Sequence, residues 1–345
     1  MKKQKILLTI KKPFLAIKKK ATTYSKYNPH RSFKHTLPRD DTRSLKLPGY
    51  FAFSKYVWRT LWTNRKTFLL LALTYAIISA LMVGIASQDN ITSLTETLNT
   101  SGGDFLAGGW GEIGKASLLF VTAMTGGLSQ SLSDVQQIYA AIIILLTWLT
   151  SVWLLRNILA GHKVKLKDGL YNAGSPILST FLVALLILVQ LLPLALALIG
   201  YTAASATGLL SNGVEAMLFW VAAGLLAALS LYWITSTFFA LVIVTLPGMY
   251  PLQAVQIASD LVIGRRLRIL LRLLWMAFGV LITWAVIMIP IILLDKWLKG
   301  IWPTISWVPT IPVILLSISA LTIIWVSSYV YLLYRKVVAD DASSD

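Results

Sequence analysis

The sequence contains no cysteine. That excludes disulfides, thiolate metal ligands and a cysteine nucleophile. Charge is scarce as well: 13% of the 345 residues are Asp, Glu, Lys or Arg, against about 25% in a soluble domain. Only 14 residues are acidic and three are histidines, two of which, His30 and His35, lie close to the N-terminus. Acid–base catalysis and metal binding need such groups in convergent sets. Here the acids are scattered, and the H-E-x-x-H and G-x-S-x-G patterns are missing. Residues 109–114, GWGEIG, fit G-x-G-x-x-G by letter. No strand is expected before them, and Ala116 follows Lys115 where a P-loop needs Ser or Thr to hold magnesium. The expectation is a non-enzymatic protein with no catalytic residue, metal or cofactor.

Apolar residues are what the chain has in quantity, 57% of the total. A helix rises about 1.5 Å per residue, so a hydrocarbon core of about 30 Å needs roughly 20 apolar residues. Six stretches qualify: Thr67 to Ile85, Ile138 to Leu159, Pro176 to Tyr201, Met217 to Leu246, Leu274 to Leu294 and Ile311 to Leu333. The fold class expected is all-α, a polytopic membrane helical bundle of about six transmembrane helices. Helices are required because each backbone polar group must find its partner within its own segment. Ser175-Pro176 reads as an N-cap and first-turn proline for the third span. Pro247-Gly248 should stop the fourth, and Pro193 should kink the third. Ile6 to Ile10 is too short for the core of a secretory signal, about 7–15 residues.

Basic residues orient the bundle. The first 66 residues hold 18 Lys or Arg, and 28 of the 31 in the chain fall on one side of the proposed membrane. The positive-inside rule makes that side cytoplasmic, with both termini there. The parts expected are a basic cytoplasmic arm over residues 1–47, an amphipathic interfacial helix over 48–66, the bundle over 67–334 and a short cytoplasmic tail over 335–345. In the arm, lysine clusters at such density resist compact folding. It would meet anionic lipid headgroups, serve as a topology anchor, or contact ribosomal RNA.

From Tyr50 to Lys66 the spacing is helical. Lys55, Arg59 and Lys66 fall within an arc of about 40°. Tyr50, Phe53, Val57, Trp58 and Leu61 lie opposite or at the flanks. Such a helix lies in the interface with its charges toward headgroups, and Thr63-Asn64 should separate it from the first span. A second basic cluster, Arg265, Arg266, Arg268 and Arg272, follows a helical stretch that starts at Pro251 and breaks at Gly264, with Asp260 placed to pair with a neighbouring arginine. These seven basic residues are the candidate contacts for lipid headgroups or for protein partners in the membrane. Between Ser87 and Val135, a short apolar run over residues 118–124 reads as an interfacial or re-entrant helix.

No ionisable residue lies well inside a proposed span, so proton-coupled transport is disfavoured. Gln190, beside Pro193, and Ser230 and Ser236 on the fourth span are the candidate intrabundle polar positions. They serve either as hydrogen bonds between helices or as part of a path for a neutral or lipid-like substrate. Arg156, at the end of the second span, is the nearest match to the intramembrane arginine of an insertion factor, although snorkelling accounts for it more simply.

The segment VTLPGMYPLQAVQIASDLVIGRRLRIL, residues 244–270, resembles the membrane domain attached to some bacterial glycerophosphodiester phosphodiesterases, and related integral membrane proteins of unassigned role. Ser259, Gly264 and Arg265 stand where that family has a serine on a small-residue helix, then a glycine and a basic residue. The resemblance extends over about residues 48 to 334. It implies a membrane architecture and no activity, because the catalytic barrel has no counterpart in this chain.

Overall fold

The fold comes from a computed structural model that describes residues 47–83, 134–211, 213–302, 308 and 310–342. Among them are nine α-helices and no strand. They are α1 (Tyr50–Thr63), α2 (Arg65–Met82), α3 (Asp134–Leu159), α4 (Leu166–Asn172), α5 (Ile177–Ala206), α6 (Gly213–Ile243), α7 (Pro251–Val262), α8 (Arg266–Ile301) and α9 (Thr310–Ala342). Of the described residues, those at 263–265 are not part of the compact unit that the others form. The arm, the 118–124 run and the GWGEIG stretch lie outside the described residues.

Six of the helices, α2, α3, α5, α6, α8 and α9, are long and apolar enough to cross a membrane. The surface they present is incompatible with water. Leu188 on α5 and Leu225 on α6 are 62% and 68% exposed, and neighbours along both helices are similarly bare. An apolar face of that size is stable only against lipid or protein. The protein is a multi-pass membrane protein with an all-α fold.

The core is built around α9, which packs against α2, α3, α8, α6 and α1. Small hydroxyl residues let these helices approach. Thr147, Thr150, Ser151, Ser327 and Ser328 are buried, and each hydroxyl donates back to a carbonyl three or four residues earlier. That local bond satisfies the oxygen where no water is present. Tyr75 joins α2 to α3 through a 2.8 Å bond to Thr150. The Thr150 proton is already directed at the Leu146 carbonyl, so the phenol is the donor.

The helix boundaries differ from the apolar runs in instructive ways. At α5 the cap position is taken by Pro176 rather than Ser175, with no side-chain cap, and the Thr180 hydroxyl donates to the Pro176 carbonyl at 2.8 Å. Helix α8 begins at Arg266, eight residues before the apolar run at Leu274. Arginine and leucine are both good helix formers, so the helix continues past the point where apolarity ends. After α6 the chain turns at Gly248, whose φ of 76° is the left-handed region that glycine enters without steric cost. Helix α7 then packs on α6 and α5 through Ala254, Ala258 and Val262, spaced every four residues and fully buried. It doubles back: Arg266, just beyond it, meets Tyr232, which lies 11 residues before the end of α6, or about 16 Å back along that helix.

Candidate functional site

The basic end of the bundle gathers the structure's most concentrated polar and aromatic contacts. Helix α1 is separated from α2 by the single residue Asn64. Its Phe53 and Val57 are completely buried, and the surfaces that bury them belong to protein, because α1 packs on α9 and α8. Phe53 meets the Tyr329 ring edge-on at 4.8 Å, and Phe51 meets Trp275 in the same manner at 4.7 Å. The Trp275 indole N–H donates to Ser54 Oγ at 3.2 Å.

Arg272 closes this contact. One arm of its guanidinium donates to the Pro48 carbonyl, just ahead of α1. The group also lies over the rings of Tyr50 and Phe53, 4.9 and 5.7 Å from their centroids. Arg272 is 7% exposed, and its second terminal nitrogen, Nη1, has no hydrogen-bond partner among the described residues. The Tyr329 hydroxyl nearby is equally buried and equally without a partner.

The other candidate headgroup contacts are dispersed. Lys55, Arg59 and Lys66 are exposed, as is Arg268. Arg266 is half-buried. Its guanidinium sits 3.9 Å over the Tyr232 ring and donates to the Tyr232 carbonyl at 3.4 Å. Arg265 is buried. Asp260 is exposed and forms no ion pair with a described residue, contrary to the pairing expected with a nearby arginine. The exposed face of α1 also carries Trp58 and Trp62, stacked at 5.6 Å, with Arg65 over the Trp62 ring at 5.5 Å.

Three residues singled out as intrabundle polar groups are occupied within the protein. Thr237 donates to Gln190 Oε1 at 2.7 Å, tying α6 to α5. Ser230 Oγ accepts from the backbone N–H of Leu194 at 3.1 Å, the residue after Pro193. There the ring of proline disturbs the helical ladder, and a hydroxyl from the neighbouring helix compensates. Ser236 donates to the Trp233 carbonyl at 3.0 Å. Arg156 donates to the Thr245 carbonyl at 3.0 Å, just past the end of α6. It therefore caps a neighbouring helix.

Sequence reasoning missed several of these pairings, among them Tyr75 with Thr150. On α8 and α9 the Trp284 indole donates to Thr322 at 2.8 Å. At their opposite ends Asp295 pairs with Lys299 at 2.8 Å and accepts from Thr310. The i,i+4 spacing of Asp295 and Lys299 is a local signal, but nothing local marks the other partners, which lie up to 75 residues apart. In the first turn of α4, the Asp168 carboxylate accepts from the backbone N–H of Lys165, the cap residue, at 2.9 Å, a helix-capping role. No group of three potential metal ligands occurs among the described residues. No protein family, curated protein or solved structure matches the chain.

Proposed function

We propose that the protein is a non-enzymatic scaffold or lipid-associated protein of the cytoplasmic membrane, with both termini in the cytoplasm. The observation that carries this reading is the docking of α1. Phe53, Val57 and Arg272 fix the helix to α8 and α9, and the cationic side chains Lys55, Arg59 and Lys66 are left exposed. A rigidly held row of cations beside two exposed tryptophans, Trp58 and Trp62, matches the chemistry of an anionic headgroup layer, where each basic residue is worth about 1 kcal/mol. Protein partners in the membrane would use the exposed apolar faces of α5 and α6.

The test is the triple variant Lys55→Gln/Arg59→Gln/Lys66→Gln, reconstituted in phosphatidylcholine vesicles with a minor fraction of spin-labelled phosphatidylglycerol. Electron paramagnetic resonance reports the fraction of labelled lipid held at the protein surface. The wild type should select the anionic lipid over labelled phosphatidylcholine, with a preference that weakens in salt. The variant should lose most of that preference. Equal selectivity in the two proteins contradicts the reading. A facilitator for a neutral or lipid-like substrate is the second reading. It is favoured by Pro193 lying inside α5 one turn from the Gln190–Thr237 pair.

A further inference from the structure

The nine α-helices described repeat one order of elements three times, a short helix followed by two spans. Unit one is α1, α2 and α3; unit two is α4, α5 and α6; unit three is α7, α8 and α9. The packing repeats with the order. Within each unit the two spans pack on one another. Each short helix packs on both spans of the preceding unit, α4 on α2 and α3, and α7 on α5 and α6. Helix α1 has no described unit before it, and it packs on α8 and α9, the spans of unit three. The first spans keep the same relation, α5 to α3, α8 to α6 and α2 to α9. Three steps return to the starting unit, so the arrangement is a closed cycle of parallel repeats.

The sequence has the same period. Trp148-Leu149-Thr150-Ser151, Trp233-Ile234-Thr235-Ser236 and Trp325-Val326-Ser327-Ser328 share one pattern: Trp, an aliphatic residue, Thr or Ser, then Ser. It occurs once in the second span of each unit and nowhere else in the chain. All six hydroxyl residues are buried. Each short helix reaches the preceding unit at this pattern. Phe53 meets Tyr329, the residue after the third pattern. A Cβ on Gly169 would meet Thr150, inside the first. Helix α7 leads to Arg266, which lies over Tyr232, the residue before the second. Bonds inside units two and three share a register too: Ser230 and Thr322, each three residues before its tryptophan, accept from α5 and α8.

We propose that the bundle is a cycle of three equivalent units, that α1 is the strap closing it, and that the seam between units three and one is where it opens. The joints differ in one respect. Helices α4 and α7 are tied to the preceding unit by the chain itself, through tight turns in which Gly161 and Gly248 have φ of 86° and 76°. A short tether holds a helix near its seat at high effective concentration. No such turn joins α9 to α1, which stand at opposite ends of the helix order. Side chains compensate. The tethered helices bury small aliphatic faces, Gly169 and Ala173 in one case, Ala254, Ala258 and Val262 in the other. Helix α1 buries Phe53 and Val57, and it is gripped by Arg272 at Pro48, Trp275 at Ser54 and Lys336 over Tyr56. A joint held by side chains alone is the one that can open while the others stay tethered. The arrangement rests on neither reading of function given above.

Hydrogen exchange of the full chain in nanodiscs tests the strap. Phe53→Ala should accelerate exchange about tenfold or more in α2 and in the part of α9 beyond Trp325, as well as in α1, and leave α5 and α6 within about twofold of the wild type. Acceleration confined to α1 overturns the strap. Equal acceleration in all six spans overturns the separate seam. The cycle itself is tested by a circular permutant that keeps every residue. Asp345 is joined to Met1, and the chain is reopened between His162 and Lys163, both exposed. The permutant should insert and fold, and the weak seam should move with the break. Helix α4, now without its turn, should exchange about tenfold or more faster than in the wild type, and α1 no faster. A permutant that does not insert, or whose α4 exchanges as in the wild type, overturns the equivalence of the three joints.

Discussion

Whether α1 is held by protein or by lipid is decided by comparing two aromatic truncations. Phe53 is wholly enclosed, edge-on to Tyr329 and beneath Arg272, and Val57 is the only other completely buried residue of α1. Removing a buried phenyl group costs about 3–5 kcal/mol in packing and cavity terms. Taking the lower bound, Phe53→Ala shifts the docking equilibrium of α1 by more than about a hundredfold. Trp58 is 55% exposed and touches only Trp62 among the rings of the described residues. Truncating it should cost about 1 kcal/mol, in the range of a stacked pair. Hydrogen exchange of the α1 amides in nanodiscs measures the opening directly. Exchange from Val57 to Leu61 should accelerate by two orders of magnitude in Phe53→Ala and by less than one in Trp58→Ala. A larger effect from Trp58→Ala than from Phe53→Ala would refute protein docking and return α1 to the headgroup layer.

Two further predictions concern helix packing. A Cβ at Gly169 would meet Leu154 at 2.9 Å and Thr150 at 3.3 Å, so Gly169→Ala should destabilise the contact of α4 with α3 by about 1–3 kcal/mol, read as a lower melting temperature, and Gly169→Leu by more. A double-mutant cycle with Gln190→Leu and Thr237→Val should give a coupling of about 0.6 kcal/mol, and no more than about 1.7 kcal/mol, the range for hydrogen bonds between membrane helices; a coupling near zero would mean that the 2.7 Å bond contributes nothing to stability.

The spans were legible because apolarity over a bilayer's thickness is a property of contiguous sequence. The run from Ile138 to Leu159 ends where α3 ends. Helix ends were less legible where two requirements diverge, as at α8, whose first eight residues are good helix formers but too basic to count toward a span. At α5 the preference of serine for a cap lost to Pro176. The candidate site was legible as a set of residue types and not as an arrangement. In the sequence Arg272 is one of four similar arginines, and only folding buries it against Pro48 while leaving Arg268 exposed. Gln190 and Ser230 were visible as polar residues in apolar surroundings, yet their partners Thr237 and Leu194 come from the pairing of α5 with α6.

With the polar side chains at the middle of α5 and α6 used within the protein, the bundle there should be closed to water. The natural absence of cysteine makes the wild type a labelling background. Single cysteines at Gln190, Ser230 and Ser236, with Lys163 as an exposed loop control, would be treated with a membrane-impermeant thiol reagent from each side of the membrane. Protection is expected at the three mid-helix positions and reaction at the control. Reaction at Gln190 or Ser230 would contradict that, reveal a water-filled path beside Pro193, and place transport ahead of scaffolding.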